Sequence, residues 1–201
     1  MTWSFEDDAV RIAKLNLGPY DNCVYVVACA VTNKAVIIDA AAEAGRILDA
    51  AIGVEVERVL ETHGHMDHIG ALDPVTDALG VPWAMHPADV GIAGRSPDEE
   101  LADRQEIAVG DLVLHVAHTP GHTPGSVTFI LEPVAFTGDT LFPGGPGATR
   151  WGYSSFGQIM DSVEQRIMPL PDATIVYPGH GGETTIGAER PSIGAWRARG
   201  R

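Results

Sequence analysis

The sequence predicts an α+β fold in which sheets stack at the centre and helices cover them outside, with the His-containing stretches gathered at one edge. Three observations carry this expectation. Strand-like runs come first, then a helix, a strand and a helix, and the same alternation repeats further on. Each His-containing stretch follows a strand at a Gly or Pro turn, where a rigid sheet can bring several side chains to one point. A chain of 201 residues can also bury its own core without disulfides. We expect one domain over residues 1–201, with about 191–201, carrying Arg197, Arg199 and Arg201, as a frayed tail.

The elements follow in order. Val10–Leu17, Cys23–Val31 and Ala35–Asp39 read as strands, separated by Gly18-Pro19-Tyr20-Asp21-Asn22 and by Thr32-Asn33-Lys34. Ala40–Ala51 is Ala-rich, carries Ile47 and Leu48 at helical spacing and ends at Gly53. Val54–Leu60 is a short strand leading into the His-rich stretch. Asp67 is placed to cap the next helix, which turns Ile69, Leu72 and Val75 to one face and closes at Gly80-Val81-Pro82. A short strand over Pro82–Met85 and a short helix over Pro87–Ala93 follow. Ser96–Glu106, charged and Pro-containing, reads as a mobile surface loop. Strands return at Leu112–Ala117, Ser126–Leu131 and Val134–Thr137. Tyr153–Met168 reads as a helix, Thr174–Tyr177 as a strand and Thr184–Arg190 as a last short helix.

Charge and cysteine usage narrow the function. Thirteen Lys and Arg stand against 27 Asp and Glu, a net charge of −14 with His neutral. Such a field repels phosphate backbones and anionic lipid, which argues against nucleic-acid and membrane partners. Cys23 and Cys29 sit six apart in one apolar run, on the same strand face and too far apart along it for a bridge. They read as small buried hydrophobes in a reducing compartment. The start shows no basic segment followed by an apolar one, and no run approaches the ~20 residues that span a bilayer. A cytoplasmic location is expected.

The chemistry concentrates in Thr62-His63-Gly64-His65-Met66-Asp67-His68, which holds three of the eight histidines. Imidazole and carboxylate ligands suit zinc and harder divalent ions, and a catalytic site leaves one position open for water. Thr119-Pro120-Gly121-His122-Thr123-Pro124-Gly125-Ser126, Thr137-Gly138-Asp139-Thr140 and Pro178-Gly179-His180-Gly181 have the same strand-end setting. Asp39, at the end of an apolar strand, is expected behind the ligands, hydrogen-bonding a ligand histidine to fix its tautomer. A turn-forming Asp is the alternative. His86, His115 and His118 lie off these motifs and read as strand or turn residues.

Residues 62–68 resemble the signature of the metallo-β-lactamase superfamily, and His122, Asp139 and His180 stand in its order. Gly138-Asp139-Thr140-Leu141-Phe142 and the Thr119–Ser126 stretch are most similar to the glyoxalase II (hydroxyacylglutathione hydrolase) branch. The resemblance implies an αββα four-layer sandwich with two central mixed sheets. It assigns His63, His65 and His122 to one metal and Asp67, His68 and His180 to a second, with Asp139 bridging. Asp67 and Asp139 become the carboxylates of the catalytic centre. The implied cofactors are two divalent ions, zinc first, with iron or manganese as alternatives. The implied reaction is hydrolysis of a thioester by a hydroxide bridging the metals, so no Ser or Cys nucleophile is required.

The resemblance also sets expectations for the substrate. Two-domain members of that branch add a helical C-terminal extension to the glutathione site. Here we expect loops to take its place, above all Pro143–Tyr153, where Arg150 falls near a position that meets the thiol carrier's carboxylate and Tyr153 adds a hydrogen bond. A surface Arg without a binding role is the alternative for Arg150. Two other activities stay open: oxidation of a persulfide at a single iron held by the first-site histidines and Asp139, and lactone hydrolysis. Asp139, where zinc β-lactamases of the best-known class use Cys, argues against that activity. The acidic charge argues against a nuclease.

Overall fold

The structure, a computed structural model, describes residues 2–200. Seven strands build the first sheet in chain order: β1 (Phe5–Glu6), β2 (Val10–Leu17), β3 (Asn22–Cys29), β4 (Lys34–Ile38), β5 (Glu55–Leu60), β6 (Trp83–Met85) and β7 (Glu99–Glu100). Pairing is antiparallel from β1 to β4 and parallel from β4 to β7. The second sheet takes β8 (Glu106–Val109), β9 (Leu112–His118), β10 (Val127–Leu131) and β11 (Val134–Gly138). After a ribbon of β12 (Leu141–Phe142) and β13 (Gly145–Pro146), it gains β14 (Ile175–Pro178) and β15 (Thr184–Thr185), in the order β15-β14-β11-β10-β9-β8. Only β11 and β14 run parallel there, so both sheets are mixed.

Among the described residues, seven α-helices flank the sheets: α1 (Ala44–Ala50), α2 (Met66–Ile69), α3 (Leu72–Leu79), α4 (Val90–Ala93), α5 (Phe156–Ser162), α6 (Ile186–Glu189) and α7 (Ile193–Arg199). The period-2 alternation of a strand explains the layering. On β3, Cys23, Tyr25, Val27 and Cys29 face the second sheet, whereas Val24, Val26 and Ala28 face the α1–α3 layer with Ile47, Leu72 and Val75. Tyr25, Phe136 and Tyr177 meet between the sheets with ring centroids 5.0–5.5 Å apart. Beyond the second sheet, Met160, Val163, Ile167, Ile186 and Trp196 pack with Val176 and Leu141. The result is an αββα sandwich. Among the described residues, no helix is long and apolar enough to cross a membrane.

Several segments differ from the sequence expectation, each for a local reason. Helix α1 starts at Ala44 rather than Ala40, because Asp39 and Glu43 both adopt positive φ and buried Ala40 is held by a hydrogen bond from its N–H to Glu61 Oε1. Asp67 does not cap a helix: His65 is the N-cap of α2, and the chain breaks at Gly70-Ala71 before α3. Within 96–106, Glu99–Glu100 forms the edge strand β7, Leu101 is buried, and Arg58 pairs with Glu99 at 2.5 Å. The helix expected from Tyr153 begins at Phe156, capped by the Ser155 hydroxyl, and widens into a π-turn over Val163–Ile167. Residues 193–199 are helical rather than frayed, with Trp196 only 2% exposed.

Candidate metal centre

Five strand ends converge on one edge of the sandwich. The end of β4 supplies Asp39, β5 runs into Thr62–His68, β9 into the His122 loop, β11 into Asp139 and β14 into His180. The parallel pairs β4/β5 and β11/β14 put their C-terminal ends side by side, and the central core brings the two sheets' ends together.

Three overlapping groups of ligand atoms result: His63, His65 and His122; His63, His68 and Asp139; and Asp67, His68 and His180. In the first, His65 Nδ1 lies 3.1 Å from His63 Nε2 and 3.0 Å from His122 Nε2. In the third, His68 Nε2 lies 3.2 Å from His180 Nε2, and Asp67 Oδ2 is 3.5 Å from His180 Nε2 and 4.0 Å from His68 Nε2. Asp139 lies between them. Its Oδ1 is 3.4 Å from His68 Nε2, and its Oδ2 is 3.3 Å from His122 Nε2 and 3.5 Å from His180 Nε2.

Every one of these five rings has its outward nitrogen occupied. His68 Nδ1 bonds to Asp39 Oδ2 at 2.8 Å, His122 Nδ1 donates to Ala148 O at 2.8 Å and His180 Nδ1 donates to Tyr20 O at 2.8 Å. Thr62 Oγ1 donates to Asp39 Oδ2 at 2.8 Å, which leaves it to accept from His63 Nδ1 at 3.0 Å. His65 alone turns Nδ1 inward, and its Nε2 meets the Tyr153 hydroxyl at 2.8 Å. Asp39 thus braces one histidine directly and another through Thr62. Such outer partners fix tautomer and ring orientation.

The charges follow the same division. Burial, then charge on His68, holds His63 well below the ordinary imidazole range. Burial, then His122, brings His65 down to about 4, and burial lowers His122 as well. These three rings are neutral at neutral pH, the form in which an imidazole can take a metal. Burial opposes charge on His68 and His180 too, but Asp39 and Asp139 pull His68 well above its usual range and a hydrogen bond to Asp139 raises His180. Asp139, despite burial, is held well below the carboxylate range by His68 and His180.

This arrangement fits metal ions. Two ligands of a tetrahedral zinc with Zn–N bonds of about 2.0–2.1 Å lie roughly 3.3 Å apart, close to the spacing of these nitrogens. Asp139 Oδ1 is buried and has no hydrogen-bond partner, a costly state that a cation relieves. A cation here also answers the negative field of Asp39 and Asp139 that raises His68 and His180.

The centre opens into a cleft of about 750 Å³ lined by Tyr20, Met66, Ile92, Ala148, Arg150 and Trp151 beside the ligands. Arg150 lines this cleft with its guanidinium 4.8 Å over the Trp151 ring, and Trp151 packs on His65 at 4.6 Å. Tyr153, expected to touch substrate, has its hydroxyl on His65 instead. Composition and spacing did not single out Asn22, whose buried side chain donates to Asp67 Oδ2 at 3.2 Å, nor Tyr20, 68% exposed at the mouth. The polar turn containing both was the only signal. His86 and His118 stack on each other at 4.2 Å outside the ligand groups.

Comparison with known proteins shows the family and the fold. A 36% identical "Uncharacterized protein" of Aquifex aeolicus (strain VF5) aligns over 89% of this chain and 93% of its own. "Hydroxyacylglutathione hydrolase GloC" of Haemophilus influenzae is 33% identical over 79% of this chain and 85% of its own. Among solved structures, BLEG-1 B3 metallo-beta-lactamase superposes with a TM-score of 0.81 at 32% identity, covering 90% of this chain and 96% of that one. ETHE1 from Myxococcus xanthus gives 0.81 at 29% identity, with coverage of 89% and 81%. TTHA1623, solved in a di-iron-bound form, gives 0.77 at 30% identity, with coverage of 89% and 96%. The Metallo-beta-lactamase superfamily profile matches residues 18–180, a span that takes in Asp39 and all seven converging side chains, and the chain belongs to that superfamily.

Proposed function

We propose that this chain is a metal-dependent hydrolase acting on a thioester of the hydroxyacylglutathione type, with two divalent ions, zinc first. The observation that carries this reading is Asp139, which lies within 3.5 Å of ring nitrogens from both histidine clusters, so that the two clusters form one centre. The likeness to hydroxyacylglutathione hydrolase GloC supports the thioester. In this reading His63, His65 and His122 hold one ion, Asp67, His68 and His180 hold the other, and Asp139 spans both. When bound, two such ions bring the pKa of water toward neutrality and polarise a carbonyl.

The protein's own contribution is positional. Asp39, Thr62, Ala148, Tyr20 and Tyr153 fix the five imidazoles before substrate arrives, so little reorganisation remains for the reacting state. Asn22 orients the Asp67 carboxylate at the cleft wall. Met66, Ile92 and Trp151 give the cleft apolar walls that strip water from an entering acyl group. Arg150, at the rim, is the cation available to an anionic carrier.

A second reading is oxidation of a persulfide at one iron, because the first cluster with Asp139 already supplies imidazoles and a carboxylate suited to non-haem iron. Metal analysis of the purified chain, with a glutathione thioester, a persulfide, a lactone and a phosphodiester as substrates, separates the readings. Two equivalents of metal with selective thioester cleavage is the expected result. One equivalent of iron with oxygen uptake on the persulfide would replace the proposal. Asp139→Asn is expected to lower thioester turnover more than about 100-fold, the scale of losing a preorganised charged group from a centre. Unchanged activity would sink the shared-centre mechanism.

A further inference from the structure

Asp89 is a fully buried carboxylate that the ligand set does not use. It follows β6 in the one-turn 3₁₀ segment Pro87–Asp89, and all its side-chain bonds go to the two loops that form the first histidine cluster. Oδ2 accepts from the N–H of Gly64, between His63 and His65, at 2.9 Å. The same oxygen accepts from Thr123 Oγ1, next to His122, at 2.6 Å, and Oδ1 accepts from Gly125 N at 2.6 Å. Because Thr123 spends its hydroxyl hydrogen on Asp89, Ser126 Oγ donates to it at 2.7 Å and accepts from Thr123 N at 3.1 Å.

The glycines on either side make this approach possible. A Cβ on Gly64 would stand 3.0 Å from Asp89 Cβ, and one on Gly125 would stand 2.7 Å from Asp89 Cγ. Both loops are bare where the carboxylate lies between them. The two loops are tied at their base by a backbone bond from Val127 N to Thr62 O at 2.9 Å; beyond it, no backbone bond joins residues 63–65 to residues 121–125 among the described hydrogen bonds, and the carboxylate spans that gap.

We propose that Asp89 is a positioning residue that sets the distance between the His63/His65 loop and the His122 loop, and so the metal affinity of that cluster. This rests on reading those histidines as metal ligands, not on the identity of the substrate. A carboxylate that accepts from three donors is a strong clamp, and truncating it loosens both loops while leaving two N–H groups buried without partners. Asparagine is a partial substitute: in either amide orientation its NH₂ faces one of the two backbone N–H groups.

The test is titration of the metal-depleted full-length chain with Co²⁺ alone, read by visible absorption and by competition with a chelator. Asp89→Ala is expected to weaken the first equivalent by about 10–100-fold, the range for groups that orient ligands, with Asp89→Asn intermediate. Thr123→Val, which removes one of three donors and keeps the carboxylate, is expected to lose less and guards against a failure of the Ala variant to fold. If Asp89 serves only to stabilise the fold, the Ala variant will melt earlier while its Co²⁺ affinity and spectrum match those of the unsubstituted chain, and the inference falls. Failure of the unsubstituted chain to bind Co²⁺ would instead overturn the metal reading beneath it.

Discussion

His65 is the one ring of the centre that turns Nδ1 inward, and its brace is a tyrosine hydroxyl on a half-exposed loop residue rather than a buried group. Tyr153→Phe is therefore expected to weaken metal at the first cluster by about tenfold, the low end for an orienting partner, because water can replace the hydroxyl. A Co²⁺ competition assay checks it. The same ring sets the acid response. Its folded pKa of about 4 lies below the value of 6.5 it has when free, so between those values the unfolded chain takes up a proton that the folded chain refuses. The share of stability that depends on His65 then falls as pH drops from about 6.5 toward about 4, and metal at the first cluster should stay bound at pH 5.5 and leave as pH approaches 4. Thermal melts and retention of the first equivalent of metal across that window measure both; loss of metal from the first cluster already at pH 6.5 would contradict the neutral state of His63, His65 and His122. The seven potential ligands were legible in sequence because each ends a strand in a Gly- or Pro-containing motif. Asp89 was not, since all three of its donors lie more than twenty residues away and two of them are backbone N–H groups, which leave no pattern in the sequence.

Among the elements, α7 shows where sequence patterning falls short. Residues 193–199 carry Gly194 and two arginines, a composition that reads as a tail, yet Trp196 is buried against the β12–β13 ribbon and the α5 face. The ribbon leads into the loop whose Ala148 carbonyl holds His122 and whose Tyr153 holds His65. Trp196→Ala is expected to cost about 3–5 kcal/mol of stability, the range for deleting a buried aromatic. It should also weaken metal binding, whereas an isolated tail would change neither; chemical denaturation and Co²⁺ titration read the two effects. Strands β2 to β5 and β9 to β11 were legible because their apolar runs are long and β-branched. The two-residue strands β1, β7, β12, β13 and β15 were not, since pairing partners rather than local pattern define them. The break at Gly70-Ala71 escaped notice for a related reason: Asp67 faces the centre, so the residue that looked like a cap was already committed.

For the molecule as a whole, the centre is also a store of conditional stability. Bound ions act only on the folded state, and at a free concentration about 1,000 times Kd they add about 4 kcal/mol, which for a chain of this size corresponds to roughly 8–16 °C in Tm. Removing metal with a chelator should lower Tm by that order, and added Zn²⁺ should restore it; a Tm indifferent to both would deny the ions any structural share. The layered architecture was legible from element order, whereas the bracing of the chain's two halves was not. Lys14 Nζ reaches Gly181 O at 2.7 Å, Cys23 N reaches Gly179 O at 2.7 Å, and Tyr20 O holds His180. This stitching between the first strands and the last ligand has a consequence for biosynthesis. While the protein is being made, the His63, His65 and His122 segments leave the ribosome well before residue 180, so a nascent chain can offer one ion a seat long before the other seat exists. If two ions are taken up during synthesis, the order in which the segments emerge makes the first cluster available ahead of the second.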